Sequence, residues 1–323
     1  MGAGYGALID CPRSNHLSGV KAVDWREEIA ACVTETEIRL DEPMAKHTSF
    51  RIGGPADVLA MPGSRVDLRR LVDLAYEHGL PWFILGRGTN LLVRDGGIRG
   101  LVIKPGPCLR WMEWGGEEAA VGAGVTLAEL ANEAASHSLA GLAFAAGIPG
   151  TLGGGIYMNA GAYGGELVQV VTSVTAYYPG CGERIWQRDQ LELSYRASRF
   201  QKERAVIEGV TMRLPPGREP KIRQEMALLA CKRQEKQPLS LPSAGSVFRR
   251  PSGGYAGTMI ERAGLKGLRI GDAQVSELHA NFIVNLGHAK AGDVLSLINQ
   301  VRERVAAQTG IWLEPEIRVI GEA

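Results

Sequence analysis

Clustered glycine is the feature of this sequence that most constrains its fold. The chain has 42 glycines among 323 residues, about 13% against a usual ~7%, and they follow no repeat. Twelve of them lie in three loops, at residues 51–54, 86–90 and 147–165. Glycine tolerates positive φ and lets a ligand approach the backbone closely, and N–H groups exposed in such turns bind phosphate oxygens. The three loops together predict a cradle for a large, diphosphate-bearing cofactor.

Composition excludes several classes of protein. Lys and Arg total 36 against 35 Asp and Glu, which argues against a dedicated nucleic-acid binder. No run of about 18 apolar residues predicts a membrane span, and we expect no secretory signal. The five cysteines are widely spaced and include no C-x-x-C pair, so neither a disulfide framework nor a zinc site is expected. A reducing cytoplasm is the expected location.

Local signals divide the chain into elements. Ser64 predicts the N-cap of a helix that ends before Gly79, and Thr126 with Glu129 predicts a capping box. Pro215-Pro216-Gly217 is the clearest linker signal, so we predict the main domain boundary at 215–218. Residues 1–24 show no periodicity and are predicted to be a loose arm. The remaining predictions are a helix and a strand before a turn at 41–43, strand-turn-strand at 51–61, strands at 81–86 and 100–104, a hairpin at 170–187, a strand at 205–214, helices at 221–236 and 292–309, and a final strand at 312–320.

Widespread catalytic motifs are missing from the sequence. It contains no P-loop, no complete G-x-G-x-x-G after a strand, no H-E-x-x-H and no G-x-S-x-G. Of the six histidines, His47 and His279 lie near other polar loop residues, and we expect both to be structural or to face solvent.

Seven blocks of sequence resemble those of a known family. In chain order they are HTSFRIGGPAD, ILGRGTNLLVRDGG, GIPGTLGGGIYMNAGAYGGE, YRASRFQ, PSAGSVFRRP, AGLKGLRIGDAQVSELHANFIVN and LEPEIRVIG. They look like the signature blocks of the bacterial UDP-N-acetylenolpyruvoylglucosamine reductases and cover roughly residues 46–321. The first three alone would indicate only the wider flavin-binding fold. The compact connection from Arg196 to Ser246 resembles the type II subfamily.

The resemblance implies an α+β fold. An FAD-binding domain of the vanillyl-alcohol-oxidase (PCMH) type, with two subdomains, would occupy residues 46–216. An arm and first elements at 1–45 would precede it, and a C-terminal α+β substrate domain at 217–323 would follow.

The resemblance also implies the activity, that of a UDP-N-acetylmuramate dehydrogenase. NADPH would reduce a non-covalently bound FAD, and the reduced flavin would pass hydride to the vinyl carbon of the UDP-N-acetylglucosamine enolpyruvate. The product, UDP-N-acetylmuramate, is a cytoplasmic precursor of peptidoglycan, needed for cell-wall biogenesis, cell shape and division. The expected partners are a UDP-sugar and NADPH, without nucleic acid or membrane, in a monomer or weak homo-oligomer.

Site residues follow by position in the matching blocks. The FAD would contact Arg51, Gly86, Arg87, Gly88, Thr89, Asn90, Ile148, Pro149, Gly150, Thr151, Gly153, Gly154, Asn159, Ala160 and Gly161. The substrate would contact Arg233, Lys236, Gln237, Lys266 and Asn281. For the basic residues a solvated helix face is an equal alternative, and Asn281 can equally be a turn former.

Three residues are predicted to carry the chemistry. A guanidinium binds a carboxylate through two parallel N–H donors, so Arg196 suits the enolate, with an ordinary salt bridge as the alternative. Ser246 would donate the proton. Glu316, which the resemblance favours over Glu314, would share one face of the final strand with Arg318. It would either fix the guanidinium or hydrogen-bond the enolate as a protonated acid.

Two other functions compete with this one. A hydroxy-acid oxidase of the same cofactor fold would not need the PSAGSVF and LEPEIR blocks. A non-catalytic nucleotide-sugar sensor would need none of Arg196, Ser246 and Glu316.

Overall fold

The computed structural model describes residues 25–323, which contain both helices and strands throughout. The α-helices are α1 (Trp25–Cys32), α2 (Arg65–Glu77), α3 (Leu127–Ser136), α4 (Leu152–Tyr157), α5 (Glu219–Lys236), α6 (Ala256–Arg262) and α7 (Ala291–Thr309). The strands are β1 (Thr36–Pro43), β2 (Pro55–Pro62), β3 (Trp82–Ile84), β4 (Leu91–Val93), β5 (Ile98–Ile103), β6 (Met112–Gly115), β7 (Glu118–Gly122), β8 (Gly161–Ala162), β9 (Gly165–Glu166), β10 (Val171–Tyr178), β11 (Gly182–Gln187), β12 (Val206–Arg213), β13 (Arg269–Ile270), β14 (Ala273–Val275), β15 (Ile283–Asn285) and β16 (Arg318–Ile320). This mixture of helix and strand agrees with the predicted α+β class.

The chain forms two compact units that do not follow the order of the sequence. The first unit comprises the described residues up to Arg39, Val58–Gly86 and Leu101–Ala230. The second comprises Leu40–Asp57, Arg87–Gly100 and Cys231–Ala323. Two early segments therefore pack with the C-terminal part of the chain. The predicted domain limits, 1–45, 46–216 and 217–323, stay a prediction.

The first unit contains two apolar cores. One lies against a five-stranded sheet of order β11-β10-β12-β7-β6, whose pairings are antiparallel. Buried residues of α3 and α4, among them Leu130 and Leu152, belong to this core. The other core forms around α2, with Leu68 and Leu71, and around the parallel pair β3 and β5. In the sheet of order β1-β2-β5-β3, β3 is an edge strand and β5 is an inner strand.

The second unit is built around α7. Val294, Leu297 and Val301 on this helix are buried together with residues of the antiparallel sheet β13-β14-β15. Phe50 and Leu92, from the two early segments, are fully buried in the same core. β4 pairs in parallel with β16, from Leu91 opposite Arg318 to Val93 opposite Ile320.

The capping and turn signals of the sequence are confirmed. The Ser64 side chain accepts a hydrogen bond from the N–H of Asp67 at the start of α2, and Gly79 beyond its end has φ +62°. The capping box of Thr126 and Glu129 is formed at the start of α3. The predicted hairpin exists as β10 and β11. Signals that act within one turn were therefore sufficient for these boundaries.

Two predicted strands are wrong. Residues 51–54 form a loop, because Arg51 (φ +56°) and Gly53 (φ +145°) leave the extended region, and a single strand follows at β2. The final strand covers Arg318–Ile320 rather than 312–320. Pro315 lacks the N–H that a continuous ladder would need, so Glu314 and Glu316 lie in an irregular segment ahead of the strand.

The cysteines also depart from expectation. Cys32, Cys108 and Cys231 are free thiols, whereas Cys181 is disulfide-bonded. The sequence predicted no disulfide framework, and among the described residues one cysteine is nevertheless bonded. The arm predicted at residues 1–24 lies outside the described residues. Among residues 25–323, no helix is both long and apolar enough to cross a membrane.

Candidate active site

Arg196 lies in a strained two-residue turn of the first unit. Ser194 and Ala197 exchange both backbone hydrogen bonds, each 3.1 Å long, which closes a turn over Tyr195 and Arg196. Arg196 has φ +53°, a left-handed conformation that glycine usually supplies. Its Nη2 donates to the Gly161 carbonyl at 3.3 Å. Six other described non-glycine residues also have positive φ, so the catalytic role of Arg196 stays a prediction.

Asn159, predicted as a cofactor contact, is 1% exposed and bonded within the protein. Its Nδ2 donates to Glu166 Oε2 and to the Ser194 carbonyl, both at 3.1 Å, and its Oδ1 accepts from the Val168 N–H. The side chain thereby fixes the first residue of the Arg196 turn. Its contact with a cofactor stays a prediction.

Ser246 and Glu316 occupy neighbouring segments of the second unit. The N–H of Glu316 donates to the Val247 carbonyl at 2.7 Å, and Phe248 pairs with Pro315. On its other side the Ser246 segment pairs with Phe282. Ser246 thus begins a segment held from both sides. Residues separated by 70 positions in the sequence, which the prediction placed in one site, meet at adjacent backbone positions.

Asn281 is a buried anchor of the Ser246 segment. Its Oδ1 accepts from the Phe248 N–H at 3.0 Å and its Nδ2 donates to the Phe248 carbonyl at 2.9 Å. Its own carbonyl accepts from the Val247 N–H at 2.8 Å. The amide is bonded to Phe248 through both ends, a role that neither alternative included. Asn281 also lies in the turn closed by the 2.9 Å hydrogen bond from the Phe282 N–H to the His279 carbonyl, as the turn alternative predicts.

The 86–90 loop is divided between the units after Gly86. In the second unit, Asn90 Nδ2 donates to the Glu316 carbonyl at 3.3 Å, and the Arg318 N–H donates to the Asn90 carbonyl. Gly88 has φ +63°, and a Cβ there would lie 2.3 Å from the His47 carbonyl oxygen. Gly88 is therefore required by the packing of the loop itself. Arg51, Arg87, Thr89 and Asn90 belong to the second unit, and the predicted cofactor residues from Ile148 to Gly161 belong to the first.

The glycine-rich helix α4 fits a bound cofactor. Thr151 caps it, and its Oγ1 would lie 2.8 Å from a Cβ at Gly86, so two of the predicted cofactor loops meet here. Gly153 is packed against Ala123, and a Cβ at Gly155 would lie 2.9 Å from Leu167 Cδ1. At Gly154, which is exposed and has no positive φ, the nearest described atom to a Cβ would be Thr151 Oγ1 at 3.6 Å.

Gly154 is thus a glycine that protein packing does not explain. Glycine inside a helix costs about 1 kcal/mol relative to alanine, and no neighbour among the described residues forbids the methyl group. Close approach of a flat ligand to the backbone is the remaining physical reason for it. The residues present therefore fit the flavin that the resemblance implies.

The predicted substrate residues have different surroundings. Lys266 Nζ forms an ion pair with Glu261 Oε1 at 2.5 Å, and Lys236 is exposed at the end of α5. Arg233 is half-buried on the same helix. Gln237 Oε1 is buried, and no hydrogen-bond partner for it exists among the described residues.

Both histidines are bonded within the protein, as expected of structural residues. His47 Nε2 lies 3.0 Å from Glu42 Oε1. His279 Nδ1 accepts from the N–H of Asn281 at 3.2 Å, and burial lowers the pKa of His279. Burial likewise lowers the pKa of Arg318. Within residues 25–323 no group of three or more His, Cys, Asp and Glu side chains is arranged to hold a metal ion.

Comparison with protein families gives two matches. Residues 237–320 match the family "UDP-N-acetylenolpyruvoylglucosamine reductase, C-terminal domain". Residues 56–186 match the family "FAD binding domain".

Similar proteins match nearly the whole chain. The UDP-N-acetylenolpyruvoylglucosamine reductase of Syntrophomonas wolfei is 45% identical over 91% of this chain and 99% of its own. That of Agathobacter rectalis is 48% identical over 87% of this chain and 93% of its own. The crystal structure of the Thermus caldophilus reductase superposes with a TM-score of 0.75 at 34% identity, and covers 88% of this chain and 98% of that one.

Proposed function

The chain belongs to the UDP-N-acetylenolpyruvoylglucosamine reductase family, and from this premise we propose that Arg196, Glu316 and Ser246 carry its reaction. The protein is an FAD-dependent oxidoreductase of peptidoglycan precursor synthesis, in a family that uses NADPH. The fold class, the cofactors and the activity predicted from sequence are thereby confirmed.

Each of the three residues meets one demand of the reaction. Bound FAD supplies the hydride, since this chemistry is the cofactor's own. Arg196 binds the substrate carboxylate with parallel N–H donors, and its charge stabilises the enolate that develops there. Ser246 Oγ–H supplies the proton at the α carbon. The Glu316 carboxyl group hydrogen-bonds the developing oxyanion.

The observation that carries this assignment is the pairing of the Ser246 and Glu316 segments. The 2.7 Å hydrogen bond from the Glu316 N–H to the Val247 carbonyl holds the two positions side by side. A proton donor and a carboxyl group need a fixed separation if both are to act on one small group, because effective catalysis depends on preorganised geometry. A buried amide, Asn281, reinforces the Ser246 segment from the other side.

The substrate contacts extend this proposal. The buried Oε1 of Gln237 needs a donor, because a buried acceptor without a partner costs about 1–3 kcal/mol. An amide or ring N–H of the UDP-sugar supplies one. We assign the diphosphate to Arg233, Lys236 and Lys266, which can exchange solvent or a surface carboxylate for phosphate oxygens. The FAD contacts are those predicted in the loops at 51, 86–90 and 148–161.

The setting of the reaction follows from its chemistry. Substrate and NADPH are cytoplasmic metabolites, so we place the enzyme in the cytoplasm. We expect a monomer or a weak homo-oligomer that binds neither nucleic acid nor membrane.

Purified protein tests the function directly. The flavin should be released into the supernatant on acid precipitation. Loss of NADPH absorbance under anaerobic conditions should continue over many turnovers with the enolpyruvyl sugar nucleotide, and stop after one flavin equivalent with UDP-N-acetylglucosamine, which lacks the reducible group. Turnover that requires a 2-hydroxy acid and oxygen would establish the oxidase instead. Tight binding of the sugar nucleotide without any turnover would establish the sensor.

A further inference from the structure

The conformation of Arg196 needs support from outside its own turn. A left-handed arginine at the second position of a two-residue turn is unfavourable, and glycine would relieve the strain. The turn is closed by the Ser194–Ala197 bonds, and Asn159 holds the Ser194 carbonyl. These contacts fix the ends of the turn. The N–H of the peptide group after Arg196 takes part in these bonds, and the carbonyl of that group accepts from a side chain outside the turn.

Gln201 makes that contact. Its Nε2 donates to the Arg196 carbonyl at 3.0 Å and to the Tyr157 carbonyl at 2.8 Å. Tyr157 is the last residue of the glycine-rich helix α4. A primary amide has two N–H donors, and here the nitrogen is bonded to these two carbonyls and also lies 3.6 Å from Met158 Sδ. The Gln201 side chain therefore joins the end of α4 to the peptide group that sets the orientation of Arg196.

We propose that Gln201 is a positioning residue for Arg196. Its amide holds the arginine in the left-handed conformation and fixes its position relative to the end of helix α4. The proposal rests on the proposed function of Arg196. Gln201 acts on Arg196 through the backbone carbonyl of Arg196 and is not itself assigned a contact with the substrate. A displacement of about 1 Å in a catalytic group can cost ~100-fold in rate, so the link is expected to affect the rate of reduction more than the affinity for substrate.

A neighbouring serine makes it possible to distinguish the effects of the two Gln201 hydrogen bonds. Ser198 Oγ also donates to the Tyr157 carbonyl at 2.8 Å. If Gln201 is removed, the end of α4 keeps this hydrogen bond, whereas the Arg196 carbonyl loses the bond from Gln201 Nε2. Loss of Gln201 should therefore disturb the Arg196 turn and leave α4 in place.

The test compares Gln201→Met with Gln190→Met. Methionine has a similar length but no N–H donor. Gln190 is exposed in a 3-10 helix at Arg188–Leu191, and its Oε1 accepts a hydrogen bond from the Gln187 N–H. The control variant therefore loses one surface hydrogen bond. Each variant is loaded with FAD, reduced by dithionite without oxygen and mixed with the enolpyruvyl sugar nucleotide. Reoxidation of the flavin is followed by stopped-flow absorbance.

Gln201→Met should slow reoxidation by roughly 10- to 100-fold, with FAD affinity within about twofold of the parent. Gln190→Met should change neither. In the apoprotein, amide hydrogen exchange should accelerate in the peptide that covers 193–201 and stay unchanged in the peptide that covers α4. If Gln201→Met does not fold, Gln201→Glu, which keeps a polar side chain but offers no donor, should give the same pattern.

A double-mutant cycle distinguishes positioning from general stabilisation. In the Arg196→Ala background, Gln201→Met should slow reoxidation by less than about twofold, because the residue through which it acts is already gone. Equal losses in both backgrounds would overturn the positioning role of Gln201. A normal rate of reoxidation in Arg196→Ala alone would overturn the proposed function of Arg196, whatever Gln201→Met does.

Discussion

Gly154→Ala is expected to stabilise the apoprotein and to weaken its binding of FAD. Replacing a glycine inside a helix by alanine gains about 1 kcal/mol, and the new methyl group meets Thr151 Oγ1 at 3.6 Å, an ordinary contact. For a chain of this size the gain corresponds to a rise in Tm of about 1–2 °C. If FAD lies against the same backbone, the methyl group overpacks that contact by about 1–3 kcal/mol. The dissociation constant of FAD should then rise roughly 5- to 150-fold.

The glycine one residue further along the helix should behave in the opposite way. A Cβ at Gly155 would lie 2.9 Å from Leu167 Cδ1, so Gly155→Ala should lower the Tm of the apoprotein by overpacking. Gly115→Ala is the neutral comparison, because no described atom lies within 4 Å of its Cβ position. Differential scanning fluorimetry of apoprotein and titration with FAD measure both quantities. An unchanged FAD affinity in Gly154→Ala would refute the inference that the flavin covers this glycine.

Three further predictions address the other parts of the site. Ser246→Ala should leave reduction of the flavin by NADPH unchanged and slow reoxidation of the flavin by substrate by about 10²–10⁴-fold. Ser246→Cys should recover part of that rate. Equal slowing of both half-reactions would contradict the proton-donor role. Gly88→Ala should destabilise the apoprotein by more than about 1 kcal/mol, since the residue has φ +63° and its Cβ would overlap the His47 carbonyl. Chemical denaturation measures the free energy of unfolding, and a value equal to that of the parent would contradict the prediction. Burial, with Lys266 adding nearby positive charge, holds the pKa of His279 below its ordinary 6.5, so the unfolded chain takes up the proton more readily and stability should fall as the pH drops through about 6.5. His279→Asn should flatten that part of the pH profile, and a profile identical to that of the parent would show that another group causes it.

Prediction from sequence was accurate where the signal is contained in one turn of chain. Ser64 and Thr126 each determine a helix start through a side chain that bonds a backbone N–H three residues away, and such signals do not depend on the rest of the fold. The final strand failed for a non-local reason. The alternation of polar and apolar residues at 312–320 looks like a strand, but Pro315 and the pairing with Phe248 keep its first half irregular.

The sequence predicted which residues form the site, but not the contacts that hold them in place. Family resemblance selected Arg196, Ser246 and Glu316, but the segments that hold them depend on contacts distant in sequence. Asn281 was predicted to be a substrate contact or a turn former, and its bonds to Phe248, 33 residues away, become visible only in the structure. Gln201 lies inside a matching block and was passed over, because one glutamine among charged neighbours carries no chemical signal of its own. The only local clue is its position five residues after the strained arginine.

The composition of the second unit determines the order in which the chain can fold. Phe50, Ile52 and Leu92 are buried in a core whose other residues all follow position 243. During synthesis these side chains emerge early, and they have no core to join until more than 150 further residues have been made. The parallel pairing of Leu91–Val93 with Arg318–Ile320 closes an even larger loop, and such long-range contacts form slowly. The nascent chain therefore lacks the partners of these apolar side chains while more than 150 residues are added, and exposed apolar surface of this kind favours aggregation. For the same reason, a fragment cut at the proline-rich linker would lack part of its own core.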